Sequence, residues 1–494
     1  MGAKMFYPDI ETFRKKAQKG NLVPVYKELL ADMLTPVSAF MRVDTGDYSF
    51  LLESVQGGEK WARYSFLGAA PSVIVRTSGD TGYIQRDGKV EERRIDGDPL
   101  SFLKEVMEAY APVEVEGLPR FFGGAVGYVG YDVVSFFENI AMDVKPGLGC
   151  PELFFMLTDT LLVFDNVAQK IKVVANAHVG DAGPDAAYHD ALHKIDELEA
   201  RLTGKPPKRK KARPRLGGKL KSNFTKGAFE KAVRAAKEYI KAGDIFQVVL
   251  SQRFEESAKV DPFDVYRALR VINPSPYMFF LRCGDFVLSG SSPEVMVRVE
   301  GGRIDLRPIA GTRKRGTTEE EDEALMRELL ADPKERAEHI MLIDLGRNDV
   351  GRVSKPGRVQ VNELMVVEKY SHVMHIVSNV RGELEDDKDA YDVMRACFPA
   401  GTVSGAPKIR AMQIIEEFEP TKRGPYAGAV GYFGFSGNMD TCITIRTLIF
   451  KDGKVYVQAG AGIVADSDPE REYVETVNKA AAMMKALEMA REGL

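Results

Sequence analysis

Glu472 and Glu475 lie three residues apart, and Lys479 follows four residues later, on a run that reads as one helix after Lys454-Val-Tyr-Val-Gln-Ala459 and the glycine segment Gly460-Ala461-Gly462. Residues at i, i+3 and i+4 meet on a helix surface, so two carboxylates there project together and can hold a hard cation. A glycine loop beside them would expose backbone N–H groups suited to an anion. Anion and cation side by side suggest a metal-bridged acidic ligand. Glu335 and Glu338 repeat the spacing on a second predicted helix. Two such helices facing each other would concentrate carboxylate oxygen, which suits Mg²⁺ better than a softer metal. Taken alone, each pair also reads as a solvated helix face.

Other patterns fail on inspection. Gly460-Ala-Gly-Ile-Val-Ala465 fits GxGxxA, but a dinucleotide unit needs its helix to begin in the loop, whereas Asp466-Ser-Asp-Pro469 reads as the cap and first turn of a later helix. Gly401-Thr-Val-Ser-Gly-Ala-Pro-Lys408 approaches a phosphate loop, yet Pro407 replaces the glycine before lysine and Ile409 the Mg²⁺-binding hydroxyl. A turn presenting Thr402 and Lys408 to a carboxylate, or a purely structural turn, fits that segment. There is no GxSxG elbow, and His372 and His375 have no evident third ligand for zinc.

The chain has 494 residues and a formal net charge of −4. That length can bury a substantial core, and that charge gives no general attraction to nucleic acid or anionic membrane. Cys150, Cys283, Cys397 and Cys442 are scattered without a CxxC pair, which fits a reducing cytoplasm. No apolar signal core or membrane-length segment is present. The run TGKPPKRKKARPRLGGKLK, 203–221, is basic, rich in proline and glycine and free of aromatic residues, so it reads as a linker between regions 1–202 and 222–494.

These chemical groups must be positioned by short strands and amphipathic helices. Before the linker, Val37–Arg42, Tyr48–Glu53, Ser72–Arg76, Ala125–Tyr131 and Leu153–Phe164 read as strands. After it, Phe229, Val233, Ala236 and Ile240 mark a helix stopped by Gly243. Another helix starts at Asp332-Pro333, with Ile340, Met341 and Leu345 expected on its buried side. Phe286–Gly290 and Val295–Val299 read as strands between them. Gly124-Ala-Val-Gly-Tyr-Val-Gly-Tyr131 nearly repeats as Gly428-Ala-Val-Gly-Tyr-Phe-Gly-Phe435, so the two halves either share a strand composition or contribute equivalent strands to one β core.

Several long motifs in order resemble the chorismate-utilising enzymes, and among them the synthase subunits of anthranilate synthases. They are Asp244-Ile-Phe-Gln-Val-Val-Leu-Ser-Gln-Arg253, Ser291-Ser-Pro-Glu294, Arg307-Pro-Ile-Ala-Gly-Thr312, Ala337-Glu-His-Ile-Met-Leu-Ile-Asp-Leu-Gly-Arg-Asn-Asp349, the 401–408 turn and 460–479. The resemblance covers nearly the whole chain. It implies an α+β fold with a large antiparallel β-sandwich core, helices packed outside and a two-lobed form with the active site in a cleft. It also implies Mg²⁺ on Glu338 and Glu475, supported by Glu335 and Glu472. Gly311, Thr312, Tyr426, Arg446, Gly460, Ala461, Gly462 and Lys479 would then hold the substrate. Glu294 matches the family's general acid, a role that needs a carboxyl kept protonated near neutral pH. His375 and Thr402 match residues near the elimination step.

By the same resemblance, ammonia adds to chorismate at C2 as the C4 hydroxyl leaves, and pyruvate is then eliminated to give anthranilate, the first step of tryptophan biosynthesis. Isochorismate and salicylate synthases carry a water-activating lysine where this chain has Gln247. Aminodeoxychorismate synthases carry lysine in PIKGT where it has Ala310. No cysteine has a glutaminase setting, so ammonia is expected from a separate glutamine amidotransferase subunit in a hetero-oligomer. Leu51-Leu-Glu-Ser54 and Asn273-Pro-Ser-Pro-Tyr-Met278 resemble the two parts of a tryptophan-binding pocket, which implies Glu53, Ser54, Pro276, Tyr277 and Met278 as contacts for L-tryptophan as a feedback inhibitor. As isolated residues they read as a strand end and core filling. The rival expectations are an aminodeoxychorismate synthase component and a catalytically silent tryptophan-binding regulator.

Overall fold

The two echoed glycine segments pair with each other. Strand Gly124–Val129 runs antiparallel to Ala429–Gly434, with Gly127 opposite Gly431. A Cβ at Gly127 would lie 1.9 Å from the Phe154 carbonyl oxygen, and one at Gly431 2.1 Å from that of Asp440. Neighbouring backbone occupies the place of a side chain, so only glycine fits. The computed structural model describes residues 5–55, 63–205, 218, 220–370 and 373–493. Residues 206–217 and 219 of the expected linker, and His372, lie outside the described residues.

Among the described residues a 12-stranded sheet spreads from this central pair in both directions. Met439–Ile443, Val295–Glu300 and Arg303–Leu306 follow on one side, and Leu153–Thr158, Val73–Ser78 and Thr81–Arg86 on the other. A 13-stranded sheet is centred in the same way on Tyr48–Glu53 paired with Tyr277–Cys283. Tyr64–Ala69, Thr160–Asp165, Lys170–His178 and Leu22–Leu30 lie to one side of that pair, and Phe286–Ser292, Thr447–Lys451, Lys454–Ile463 and Gln247–Ser257 to the other. Each sheet therefore places early strands on one side of its centre and late strands on the other, in mirrored chain order. The central and flanking pairings are antiparallel.

Side chains alternate between the faces of a strand, and the cores follow that period. Val126, Tyr128, Phe154 and Met156 enter one core with Phe66 of the other sheet, whose ring meets those of Phe121 and Tyr432. Ala125, Val129, Leu153, Phe155 and Leu157 enter a second core with apolar residues of the helices Pro99–Glu108, Lys226–Ala242, Ala390–Cys397 and Lys408–Phe418. The architecture is the expected antiparallel sandwich with helices outside. No helix among the described residues is long and apolar enough to cross a membrane.

Three local expectations change. Residues 37–42 lie in the helix Pro36–Val43, because Thr35 and Ser38 form a reciprocal capping box and Pro36 opens the first turn, which outweighs the strand-like composition. The run 153–164 breaks at Asp159 into Leu153–Thr158 and Thr160–Asp165, which belong to different sheets. In the helix Pro333–Gly351 the buried side is His339, Leu342, Ile343, Gly346 and Val350, whereas Ile340 is exposed. Gly346 lets that helix close on Leu306, whose Cδ2 would lie 3.0 Å from a Cβ there.

Candidate active site

Two helix N-termini carry the acidic pairs. Asp332 caps Pro333–Gly351 by accepting from the backbone N–H groups of Lys334, at 3.0 Å, and Glu335, at 3.4 Å. Asp468 caps Pro469–Glu492 by accepting from Arg471 N–H at 2.9 Å. Both have proline in the first turn, as the sequence predicts. Lys334 Nζ lies 2.8 Å from Asp466 Oδ2 and ties the start of the first helix to the approach of the second. Glu338 thereby comes under the charges of Glu335 on its own helix and Glu475 on the other, and Glu472 under that of Glu475. Burial, and then the charges of Glu335 and Glu475, push the Glu338 carboxyl up, against a hydrogen bond from Gln247 and the charge of Lys479. Burial and the Glu475 charge likewise push Glu472 up, against a hydrogen bond from Ser467.

The cations present answer this charge in part. Lys479 Nζ lies 2.7 Å from Glu475 Oε1 and donates to the Gly460 carbonyl at 3.0 Å. Arg313 pairs with Glu335 at 3.1 Å. Gln247 Nε2 donates to Glu338 Oε1 at 3.4 Å. Among the described residues no three His, Cys, Asp or Glu side chains form a metal-ligating group. The donor set fits a hard divalent cation whose remaining ligands are water or substrate oxygens, since a carboxylate raised by burial and by the charges of its carboxylate neighbours, as Glu338 is, is a group such an ion relieves.

The segment Gly460-Ala461-Gly462 is not a loop. It belongs to the strand Lys454–Ile463, with Gly460 opposite Ser251, Ala461 opposite Leu250 and Gly462 opposite Val249. Its glycines serve close approach rather than a turn. Ala461 points into the core, while a Cβ at Gly460 would lie 2.9 Å from Tyr426 Oη and one at Gly462 2.5 Å from Gln247 Nε2. On the other edge, pairing with Thr447–Lys451 ends at Leu448 opposite Val457. Among the described residues the edge of 459–463 facing away from Gln247–Ser257 thus has no strand pairing.

Glu294 follows the strand Phe286–Ser292, and its carbonyl accepts from Ile443 N–H at 3.1 Å. Its side chain is buried, and burial pushes its pKa up to about 8 against weaker downward pulls from Thr402, Arg446 and the Ile309 N–H. Thr402, on the 3₁₀ turn Gly401–Val403, faces this carboxyl without reaching full hydrogen-bond geometry. Arg446 takes φ +50°. It is open to solvent yet hemmed in by protein, as a cleft-lining side chain is, and that enclosure draws its pKa down.

His375 lies on Val373–Glu383 with Nδ1 3.0 Å from the Gly311 carbonyl and 3.1 Å from Thr312 Oγ1. A carbonyl only accepts, so Nδ1 carries the proton and Nε2 of the neutral ring is an acceptor. Burial holds the ring's pKa down. Gly311 has φ +65°, and a Cβ there would lie 3.0 Å from Glu335 Oε2, which places the strand Ile309–Lys314, the partner of the histidine strand, beside the acidic helix. Lys408 does not face the cleft. Its ammonium pairs with the buried Asp349 at 2.7 Å and donates to the Cys397 carbonyl at 3.2 Å.

A second cavity sits between the centres of the two sheets. Glu53, Ser54, Pro276, Tyr277 and Met278 all line it. So do Arg120, Arg298, Tyr432 and Asp440, which the sequence did not single out although Tyr432 lies in the echoed segment. Asp440 accepts from Tyr277 Oη at 2.7 Å and pairs with Arg298 at 2.6 Å and Arg120 at 3.2 Å. Glu53 accepts from Tyr266 Oη at 2.5 Å and from Arg270 Nε at 3.1 Å.

The sequence pattern of the chorismate binding enzymes matches residues 51–485. The chain belongs to the chorismate-binding enzyme family. It is 51% identical to anthranilate synthase component 1 of Acetivibrio thermocellus, over 99% of this chain and 100% of that protein. It is also 51% identical to anthranilate synthase component 1 of Aquifex aeolicus (strain VF5), over 98% of each. The crystal structure of anthranilate synthase component I from Streptococcus pneumoniae TIGR4 matches with TM-score 0.74 and 39% identity, covering 92% of this chain and 98% of that one. The menaquinone-specific isochorismate synthase MenF of Escherichia coli shares the fold, with TM-score 0.69 at 18% identity over 97% and 98% of the two chains. In this chorismate-binding enzyme, Lys408→Met should lower the melting temperature, because an unpaired buried Asp349 costs about 3–5 kcal/mol. Chorismate affinity of the folded variant, measured by calorimetry, should stay at the wild-type value.

Proposed function

We propose that the protein converts chorismate and ammonia to anthranilate and pyruvate through 2-amino-2-deoxyisochorismate, the first step of tryptophan biosynthesis. The observation that carries this reading is Glu294, a buried carboxyl whose pKa burial pushes up to about 8, set beside Thr402 and Arg446 in the region where Glu338 faces Glu335 and Glu475. Adding ammonia at C2 expels the C4 hydroxyl, which must leave as water. Glu294 supplies that proton, with Thr402 and Arg446 beside it. His375, its Nδ1–H held by Gly311, then offers Nε2 to take the C2 proton as enolpyruvate leaves and the ring aromatises. Gly311, Thr312, Tyr426, Arg446 and the Gly460–Gly462 strand line the substrate, and Lys479 faces its carboxylate end. Mg²⁺ on Glu338 and Glu475, with Glu335 and Glu472 beside them, would neutralise a substrate carboxylate.

The nucleophile comes from elsewhere. Burial pushes the Cys150 thiol up to about 12 and raises Cys283, Cys397 and Cys442 as well, so none of the four is poised as a thiolate. A separate glutamine amidotransferase subunit therefore delivers ammonia, in a cytoplasmic hetero-oligomer. L-Tryptophan occupies the cavity lined by Glu53, Ser54, Pro276, Tyr277 and Met278. Two strand pairings link that cavity to the acid, since Tyr277 lies opposite Ser292 and Cys442 opposite Val295.

Purified protein given Mg²⁺, chorismate and an ammonium salt should yield anthranilate by chromatography; aminodeoxychorismate, or no turnover by folded protein, would overturn the assignment. The active form of Glu294 is the acid, so kcat should be sustained below pH 8 and fall through about pH 8 as it ionises. Glu294→Gln should cost about 10²–10⁴-fold and abolish that limb, as a pH–rate profile would record. Glu338→Gln should remove Mg²⁺-dependent turnover while calorimetric tryptophan binding is retained.

A further inference from the structure

We infer that Arg423 is a positioning residue for the reaction: its buried guanidinium fixes the Thr402 turn, the strand beside Gly462 and the Tyr426 ring in one arrangement. The inference rests on the proposed reaction for the roles of Thr402 and Tyr426, and on geometry for the rest.

Arg423 is 2% exposed. Nη1 donates to the Val403 carbonyl at 2.7 Å, one residue after Thr402. Nη2 donates to the Val249 carbonyl at 2.8 Å, opposite Gly462 in the sheet. Nε and Nη2 also donate to Glu419, at 2.9 and 2.6 Å. Glu419 in turn accepts from Ser251 N–H and Oγ–H, both at 2.8 Å, and Ser251 Oγ accepts from Gln458 Nε2 at 2.8 Å. The guanidinium lies 4.6 Å from the Tyr131 ring centre and 5.6 Å from that of Tyr426. The other half of the chain braces the next residue, for Asp132 accepts from Gly424 N–H at 2.9 Å and Tyr131 N–H donates to the Gly424 carbonyl at 2.8 Å.

Stability alone does not account for this arrangement. A buried ion pair is often replaced by packed apolar residues at no loss. A planar fork that satisfies two carbonyls and a carboxylate together does what neither an apolar side chain nor a lysine point charge can do. Its acceptors lie on separate segments that the reaction needs in register.

The test compares Arg423→Lys and Ser251→Ala with wild type in chorismate affinity by calorimetry, in the pH–rate profile and in melting temperature. Arg423→Lys should weaken chorismate binding about tenfold, the weight of one charge-assisted hydrogen bond. It should also move the alkaline limit upward, because Thr402 would no longer draw the Glu294 pKa down, while Arg446, the charged group facing Glu294, is unchanged. In a Thr402→Val background the lysine substitution should no longer move that limit. Should Arg423→Lys fail to fold, Ser251→Ala carries the test, with an expected severalfold loss of affinity alongside a lowered melting temperature, since Glu419 and Gln458 each lose a buried hydrogen bond. Wild-type affinity and an unmoved alkaline limit in a folded variant would overturn the inference, whatever its melting temperature. A wild-type product other than anthranilate would overturn the proposed reaction alone, since affinity is read without turnover.

Discussion

The close approach of two glycine strands at the middle of the molecule constrains everything around it. Gly127 against Gly431 leaves no room for a side chain, so the two halves of the chain join backbone to backbone. Because the second sheet is joined at its centre by Tyr48–Glu53 and Tyr277–Cys283, neither half owns a complete sheet. Alternation along Gly124–Val129 and Leu153–Thr158 then divides their side chains between two cores, one shared with the other sheet and one beneath helices. The cleft is assembled from late strands and helices alone, but the seam sets where they stand.

Within the cleft the same functional group is used in two electrical settings. Glu338 and Glu475 share a neighbourhood with Glu335, Glu472 and Lys479, so charge accumulates and a cation is welcome. Glu294 is isolated by burial with Arg446 nearby, and remains an acid at neutral pH. Burial pushes both Glu338 and Glu294 up, but Glu338 is raised in part by like charges that a cation can relieve, so the two environments suit them to different tasks.

Local signals carried well from sequence to structure. Proline after aspartate at 332–333 and 468–469 opens two helices, and Gly243, at φ +83°, closes a third. The acidic pairs at i, i+3 project as helix geometry requires. What was illegible depends on distant neighbours. Glycines 460 and 462 look like a loop until Gln247 and Tyr426 are seen occupying the space their side chains would need. Lys408 looks available until Asp349 claims it. Arg423 stands outside the motifs of the sequence, and its importance comes from carbonyls and a carboxylate that only folding brings together. Arg298 and Asp440 were silent for the same reason.

The cavity between the sheet centres touches Leu52–Ser54 and Tyr277–Phe279 on one side and Val430–Tyr432 on the other. Its walls are therefore the two seams themselves. The same seams run on to the buried acid: Tyr277 pairs with Ser292 and Cys442 with Val295, so the strands that wall the cavity are hydrogen-bonded to the chain on either side of Glu294.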